Sequence, residues 1–165
     1  MSFRKWIAFA VFLSALFLVG TATAAPMYYT FVSKNSGKCL DVSAYSTANG
    51  GNIQQWSCTG ADNQRWRLVA MGDGSYEVVG KQSGKCLDVT SFSLLDGANV
   101  QQWGCGGGKN QRWKLVSTGD GYNELVSQNS SKCLDVKSLS TANGANVQQW
   151  TCGGGNNQRW KLAAA

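Results

Sequence analysis

Lys38-Cys39-Leu40-Asp41-Val42 returns as Lys85-Cys86-Leu87-Asp88-Val89 and again as Lys132-Cys133-Leu134-Asp135-Val136, each copy 47 residues after the last. The same shift carries Gln54-Gln55-Trp56 onto Gln101-Gln102-Trp103 and Gln148-Gln149-Trp150. It also carries Asn63-Gln64-Arg65-Trp66 onto Asn110-Gln111-Arg112-Trp113 and Asn157-Gln158-Arg159-Trp160. No gap is needed, so the frame is 25–71, 72–118 and 119–165, three repeats of 47 filling the 141 residues from position 25 onward. A fixed period of this size marks a fold built from one unit repeated.

Each unit reads as short strands separated by turn residues, with no helical apolar period. In the second repeat the strands fall at 76–79, 85–90, 99–104 and 111–116, divided by Ser83-Gly84, Asp96-Gly97 and Gly106-Gly107-Gly108. Four strands in each of three units make twelve. A linear array of such units would leave open strand edges, whereas closure around a pseudo-threefold axis buries the apolar faces together and protects the edges. The expected fold is an all-β β-trefoil of three 47-residue repeats.

The residues before the repeats have a different character. Arg4 and Lys5 precede an apolar run over 6–20, followed by the small residues Thr21-Ala22-Thr23-Ala24-Ala25 and then Pro26. This is the order of a secretory signal peptide, residues 1–24, cut after Ala24. An uncleaved membrane anchor is the rival reading, disfavoured because Ser14, Thr21 and Thr23 interrupt the run and no stop-transfer charges follow. The expectation is a secreted, extracellular domain over 25–165 with no membrane insertion once the signal is removed.

Composition excludes several functions. The 165 residues contain no histidine, so neither a Ser-His-Asp nor a Cys-His nucleophilic centre is available, and there is no imidazole ligand for a metal. A chain 43% hydrophobic and 15% charged is too apolar to be disordered. Beyond residue 24, 13 Lys and Arg face 9 Asp and Glu, a balance of +4 spread singly along the chain. The clustered basic footprint of a nucleic-acid binder is missing.

The six cysteines all lie in the repeats. Of fifteen possible pairings, the threefold frame favours two regular ones, within repeats or between neighbouring repeats. The within-repeat set, Cys39–Cys58, Cys86–Cys105 and Cys133–Cys152, is preferred, since a closed loop of this length contributes about 3 kcal/mol and an exported chain meets an oxidising compartment. A zinc site is disfavoured by the lack of any C-x-x-C and of histidine.

Side chains two apart on a strand share a face. Leu40 and Val42 therefore point to the core, and Cys39 and Asp41 to the opposite face. On the partner strand Gln54, Trp56 and Cys58 share a face, so a Cys39–Cys58 bridge brings an acid, an amide and an indole together, with Asn63 a short loop away. Saccharides suit such a set: the C–H face of a pyranose packs on a flat aromatic, while its hydroxyls are oriented by a carboxylate and amides. Bland roles compete at each position: strand-end backbone bonding for the aspartates, loop satisfaction for the amides, core packing for the tryptophans. Core packing is favoured for Trp66, Trp113 and Trp160, with Gln64, Trp66 and Leu68 alternating inward.

At these residues the chain resembles the ricin B-chain-like lectins, the R-type β-trefoil domains also called carbohydrate-binding module family 13. The carriers are the thrice-repeated Cys-Leu-Asp-Val, the Gln-Gln-Trp followed two residues on by Cys, and the Asn-Gln-Arg-Trp standing where the family has Gln-x-Trp. The resemblance implies a sugar-orienting aspartate at Asp41, a glutamine at Gln54, a stacking aromatic at Trp56, a hydroxyl-binding asparagine at Asn63 and a supporting glutamine at Gln64. The second repeat offers Asp88, Gln101, Trp103, Asn110 and Gln111, and the third Asp135, Gln148, Trp150, Asn157 and Gln158. It also implies the within-repeat disulfides. Many relatives keep only one or two working lobes, whereas here every motif residue is present in all three.

The function expected is that of a secreted, trivalent, non-catalytic lectin without a cofactor, whose partners are saccharides or polysaccharides of galactose or xylan type. Alternatives are a targeting module acting with a separate glycoside hydrolase or toxin, and a trefoil inhibitor. The lobes differ before the asparagine (Thr59-Gly60-Ala61-Asp62, Gly106-Gly107-Gly108-Lys109, Gly153-Gly154-Gly155-Asn156) and at Tyr45, Phe92 and Leu139, which leaves room for unequal sites.

Overall fold

The computed structural model describes residues 27–165; the expected signal peptide and its cut lie outside the described residues. The first repeat forms β1 (Tyr29–Ser33), β2 (Cys39–Val42), β3 (Gly51–Trp56) and β4 (Trp66–Ala70). The second forms β5 (Tyr76–Gly80), β6 (Cys86–Val89), β7 (Val100–Trp103) and β8 (Arg112–Ser117), and the third β9 (Asn123–Ser127), β10 (Cys133–Val136), β11 (Val147–Trp150) and β12 (Trp160–Ala164).

Six of these strands close a barrel. Antiparallel pairings run β1 to β4, β4 to β5, β5 to β8, β8 to β9, β9 to β12 and β12 back to β1. The other six form the hairpins β2–β3, β6–β7 and β10–β11, one per repeat. Barrel plus three hairpins is the β-trefoil, and the ring leaves the barrel no free edge.

The three hairpins meet where Asn52, Asn99 and Asn146 close a ring of amide bonds. Asn52 Nδ2 donates to Asn146 Oδ1 (3.0 Å), Asn146 Nδ2 to Asn99 Oδ1 (2.9 Å) and Asn99 Nδ2 to Asn52 Oδ1 (3.0 Å). Because the three positions are related by the repeat, this cycle marks the pseudo-threefold axis.

The core collects Phe31, Leu40, Val42, Ile53 and their repeat equivalents with Trp66, Trp113 and Trp160, all three indoles without exposed surface. A buried indole N–H needs an acceptor, and each finds the carbonyl of the leucine in Cys-Leu-Asp-Val: Leu40 at 3.1 Å, Leu87 at 3.0 Å and Leu134 at 3.1 Å. The leucine thus fills the core with its side chain while its backbone holds the neighbouring tryptophan. Four within-repeat segments fall differently from strand alternation alone. Gln64, Gln111 and Gln158 end one-turn 3-10 helices (Asp62–Gln64, Lys109–Gln111, Asn156–Gln158), so the barrel strand starts after them. Likewise the strand expected over 85–90 stops at Val89, where the turn Thr90–Phe92 begins. Gln64 is buried as expected, but among polar groups and not in the apolar core.

Candidate carbohydrate site

Hairpin register sets the site. Cys39 faces Trp56 and Asp41 faces Gln54 across β2–β3, with the same pairs Cys86 to Trp103, Asp88 to Gln101, Cys133 to Trp150 and Asp135 to Gln148 in the other lobes. All six cysteines are paired within repeats, Cys39–Cys58, Cys86–Cys105 and Cys133–Cys152. Each bridge ties the aspartate strand to the segment just past the tryptophan. Glu77 and Glu124 lie beside the second and third bridges, but sulfurs bonded to each other offer a metal no thiolate.

Each aspartate is the hub of its lobe. Asp41 Oδ1 accepts from Gln54 Nε2 (2.8 Å), and its Oδ2 accepts from Asn63 Nδ2 (2.8 Å) and Gln64 Nε2 (2.9 Å). Asp88 repeats this with Gln101 (3.0 Å), Asn110 (2.8 Å) and Gln111 (2.9 Å), and Asp135 with Gln148 (2.9 Å), Asn157 (2.7 Å) and Gln158 (3.0 Å). The 3-10 turn is what brings the asparagine and second glutamine side by side over one carboxylate oxygen. A second bond fixes each of these amides: Asn63 Nδ2 also donates to Val42 O (3.1 Å) and Gln64 Nε2 to Ser57 O (3.0 Å).

The carboxylates are 3–4% exposed. Burial pushes Asp88 and Asp135 above the ordinary aspartate range, and the three amide donors on each pull part of the way back. With both Nδ2 bonds used inside the lobe, the Oδ1 of Asn63 and of Asn110 has no partner. Each is a fixed acceptor with unspent capacity.

Trp56, Trp103 and Trp150 stand in the open, 41%, 45% and 45% exposed. In every lobe the aspartate, first glutamine, tryptophan, asparagine and second glutamine line one cavity, of about 460 Å³ in the first, 510 Å³ in the second and 540 Å³ in the third. All fifteen residues singled out in the sequence therefore converge, five to a cavity.

Facing the tryptophan, a turn after β2, β6 or β10 supplies the opposite wall: Tyr45, Phe92 and Leu139, each at left-handed φ of 52–54°. Left-handed backbone is unusual for non-glycine residues, and a side-chain amide from the next lobe holds each carbonyl: Gln82 on Tyr45 (2.7 Å), Asn129 on Phe92 (2.9 Å), Asn35 on Leu139 (2.9 Å). The variable loops also matter at close range. A Cβ on Gly108 would lie 2.6 Å from Asn110 Oδ1 and 3.1 Å from the Phe92 ring, and the first lobe carries Ala61 at that position.

Sequence reasoning passed over Gln55, Gln102 and Gln149. Each is fully buried, and each crosses to the preceding lobe, where Gln102 Nε2 donates to Ser46 O (2.8 Å) and Ala48 O (2.9 Å). The threefold Gln-Gln-Trp was the available signal.

The profile of the ricin-type beta-trefoil lectin domain matches residues 27–160. No curated protein matches the chain significantly. Among solved structures, it is similar to ThreeFoil, a designed 3-fold symmetric protein, at 53% identity and a TM-score of 0.82 over 82% of this chain and 97% of that one. It is also similar to 1,3Gal43A, an exo-beta-1,3-galactanase from Clostridium thermocellum, at 41% identity and a TM-score of 0.84 over 87% of this chain, while spanning 31% of the galactanase. The C-half of the earthworm R-type lectin, in complex with GalNAc, shares the fold at 22% identity, with a TM-score of 0.65 over 85% of this chain and 100% of that one.

Proposed function

The chain belongs to the ricin-type β-trefoil lectin family, a family of carbohydrate-binding domains, and from that premise we propose that it is a secreted, trivalent, non-catalytic lectin. The observation carrying this reading is the threefold recurrence of one buried carboxylate, oriented by three amides, beside one exposed indole. In each lobe the tryptophan takes the C–H face of a pyranose. The carboxylate retains lone pairs for sugar hydroxyls.

Binding without turnover fits the charge inventory. A glycosidase works with two carboxyl groups facing across the scissile bond, about 5–9.5 Å apart. Each cavity here is lined by a single acid, Asp41, Asp88 or Asp135. Single sites of this open kind bind at about the millimolar level, about −4 kcal/mol, and three on one rigid body gain strength on a multivalent surface.

For the sugar, galactose-configured ligands are favoured over xylan, because the part of the exo-beta-1,3-galactanase that this chain matches is 41% identical to it. The galactanase likeness also favours a second reading, a module that targets a separate glycoside hydrolase to polysaccharide. A glycan array carrying galactose, GalNAc, β-1,3-galactan and xylan tests the proposal with residues 25–165: binding to the galactose-configured set supports it, and silence on every glycan overturns it.

A further inference from the structure

Every cavity is walled by residues of its own repeat, but the segment behind its tryptophan belongs to another lobe. The residue after Trp103 is Gly104, whose N–H donates to Asn49 Oδ1 of the first lobe (3.0 Å). After Trp56, the N–H and hydroxyl of Ser57 both donate to Asn143 Oδ1 of the third lobe (2.9 and 3.1 Å). After Trp150, the N–H of Thr151 donates to Asp96 Oδ1 of the second lobe (2.7 Å), its hydroxyl bonds the same carboxylate, and Lys132 pairs with it at 2.7 Å.

The glycine that follows completes the contact. A Cβ on Gly50 would stand 4.0 Å from the Trp103 ring and 3.9 Å from Gln101 Oε1; Gly97 is placed likewise against Trp150 and Gln148, and Gly144 against Trp56 and Gln54. Left-handed φ of 81–82° at all three puts the bare backbone against two of the five residues of the neighbouring cavity. The loop is itself fixed, since Gly50 N donates to Gln102 O (2.9 Å) and Gln102 Nε2 holds two of its carbonyls.

We propose that Asn49, Asp96 and Asn143 are positioning residues for the sugar sites of the second, third and first lobes respectively, each fixing the stacking tryptophan of a lobe other than its own. This rests on the sugar-site reading above. The three locks are graded: Asn49 holds a backbone N–H alone, Asn143 adds a hydroxyl, and Asp96 adds a hydroxyl and a lysine. Since Gly104 has no side chain to engage, the lock on the second site from the neighbouring lobe's side chain is a single bond. The same loops carry Tyr45, Phe92 and Leu139 at their other ends, so adjacent sites share a loop around the ring.

The test uses residues 25–165 with two sites silenced. In a chain carrying Asp41→Asn and Asp135→Asn, only the second site remains, and galactose affinity is read by tryptophan fluorescence. Adding Asn49→Ala, in the first lobe, weakens galactose binding about fivefold, the worth of one ordinary hydrogen bond of about 1 kcal/mol; Asn49→Asp restores it, since aspartate does this work at position 96. The thermal midpoint falls by a few degrees at most, because Asn49 is exposed and a single surface hydrogen bond is lost. With only the first site live (Asp88→Asn, Asp135→Asn), Asn49→Ala leaves affinity within about twofold. Equal loss at both sites, or no loss at the second, overturns the proposal while leaving the sugar reading intact. If the unsubstituted chain binds no saccharide, both fall.

Discussion

Replacing Asp88 should damage two properties at once, and the structure separates them. Its carboxylate accepts three amide bonds in a setting that is 4% exposed. Bonds to a charged acceptor are worth about 1.5–3 kcal/mol each, but Asn110 and Gln111 keep second acceptors on Val89 O and Gly104 O. Removing a carboxylate whose burial already opposes its charge returns part of the loss. Asp88→Ala therefore costs about 2–4 kcal/mol of stability and abolishes the second site. Asp88→Asn keeps the shape and one acceptor oxygen over Asn110 and Gln111, and Gln101 can turn its carbonyl to the new amide; it costs about 1 kcal/mol but still silences the site. Urea unfolding under oxidising conditions, paired with galactose titration, reads both. Stability of Asp88→Ala within about 0.5 kcal/mol of the parent, or equal stability of the two variants, would refute the hub role.

The tryptophans divide in the same way: Trp113→Ala costs about 3–5 kcal/mol as a core truncation, whereas Trp103→Ala, losing a ring already 45% exposed, leaves thermal melts nearly unchanged and removes sugar binding at its lobe. Reduction of the disulfides, each closing a loop with a separation of 19 residues, lowers stability by about 3 kcal/mol per bridge, read by melts with and without reductant. Galactose affinity at the second and third sites falls on acidification before ordinary aspartates protonate, because Asp88 and Asp135 titrate above the usual range. The same raised carboxyls affect folding with the opposite sign: their contribution is full below the unfolded value and is lost as pH rises through the folded one. Asp73 and Asp120 are held below the usual range by hydrogen bonds from Ser75 and Gln128 and from Lys34 and Thr118, so their stabilisation is present above the ordinary carboxyl range and fades as pH falls. Chemical denaturation and titration across pH 3–7 separate the two trends.

Why the sequence disclosed so much lies in its period. Alternation fixes which residues share a face once both segments are strands, and the Cys39–Cys58 bridge joins the two faces, so Leu40 in the core and Asp41 brought together with Gln54 and Trp56 were legible, while the register of Asp41 opposite Gln54 was not. The split between Trp56 and Trp66 was legible for the same reason. The double role of Asp41 was not, because a 3-10 turn, and not a strand, swings Asn63 and Gln64 over it. Tyr45, Phe92 and Leu139 were legible as positions where the sites differ, but not the way they wall the cavity: Tyr45 and Phe92 sit in left-handed backbone that their side chains do not favour, and it is held there by Gln82 and Asn129 from other lobes. Contacts between repeats need the closed ring before they can be seen, so the threefold Gln-Gln-Trp marked Gln55 as a repeated position without showing that it reaches across the ring, and Asn49 carried no threefold identity to mark it.

Titration calorimetry of residues 25–165 with galactose bears most directly on three working lobes. The account predicts a stoichiometry of three per chain, falling to two in each of Asp41→Asn, Asp88→Asn and Asp135→Asn, and no heat from the triple variant with its near-ultraviolet circular dichroism intact. A stoichiometry of one, abolished by a single substitution and untouched by the other two, would contradict it.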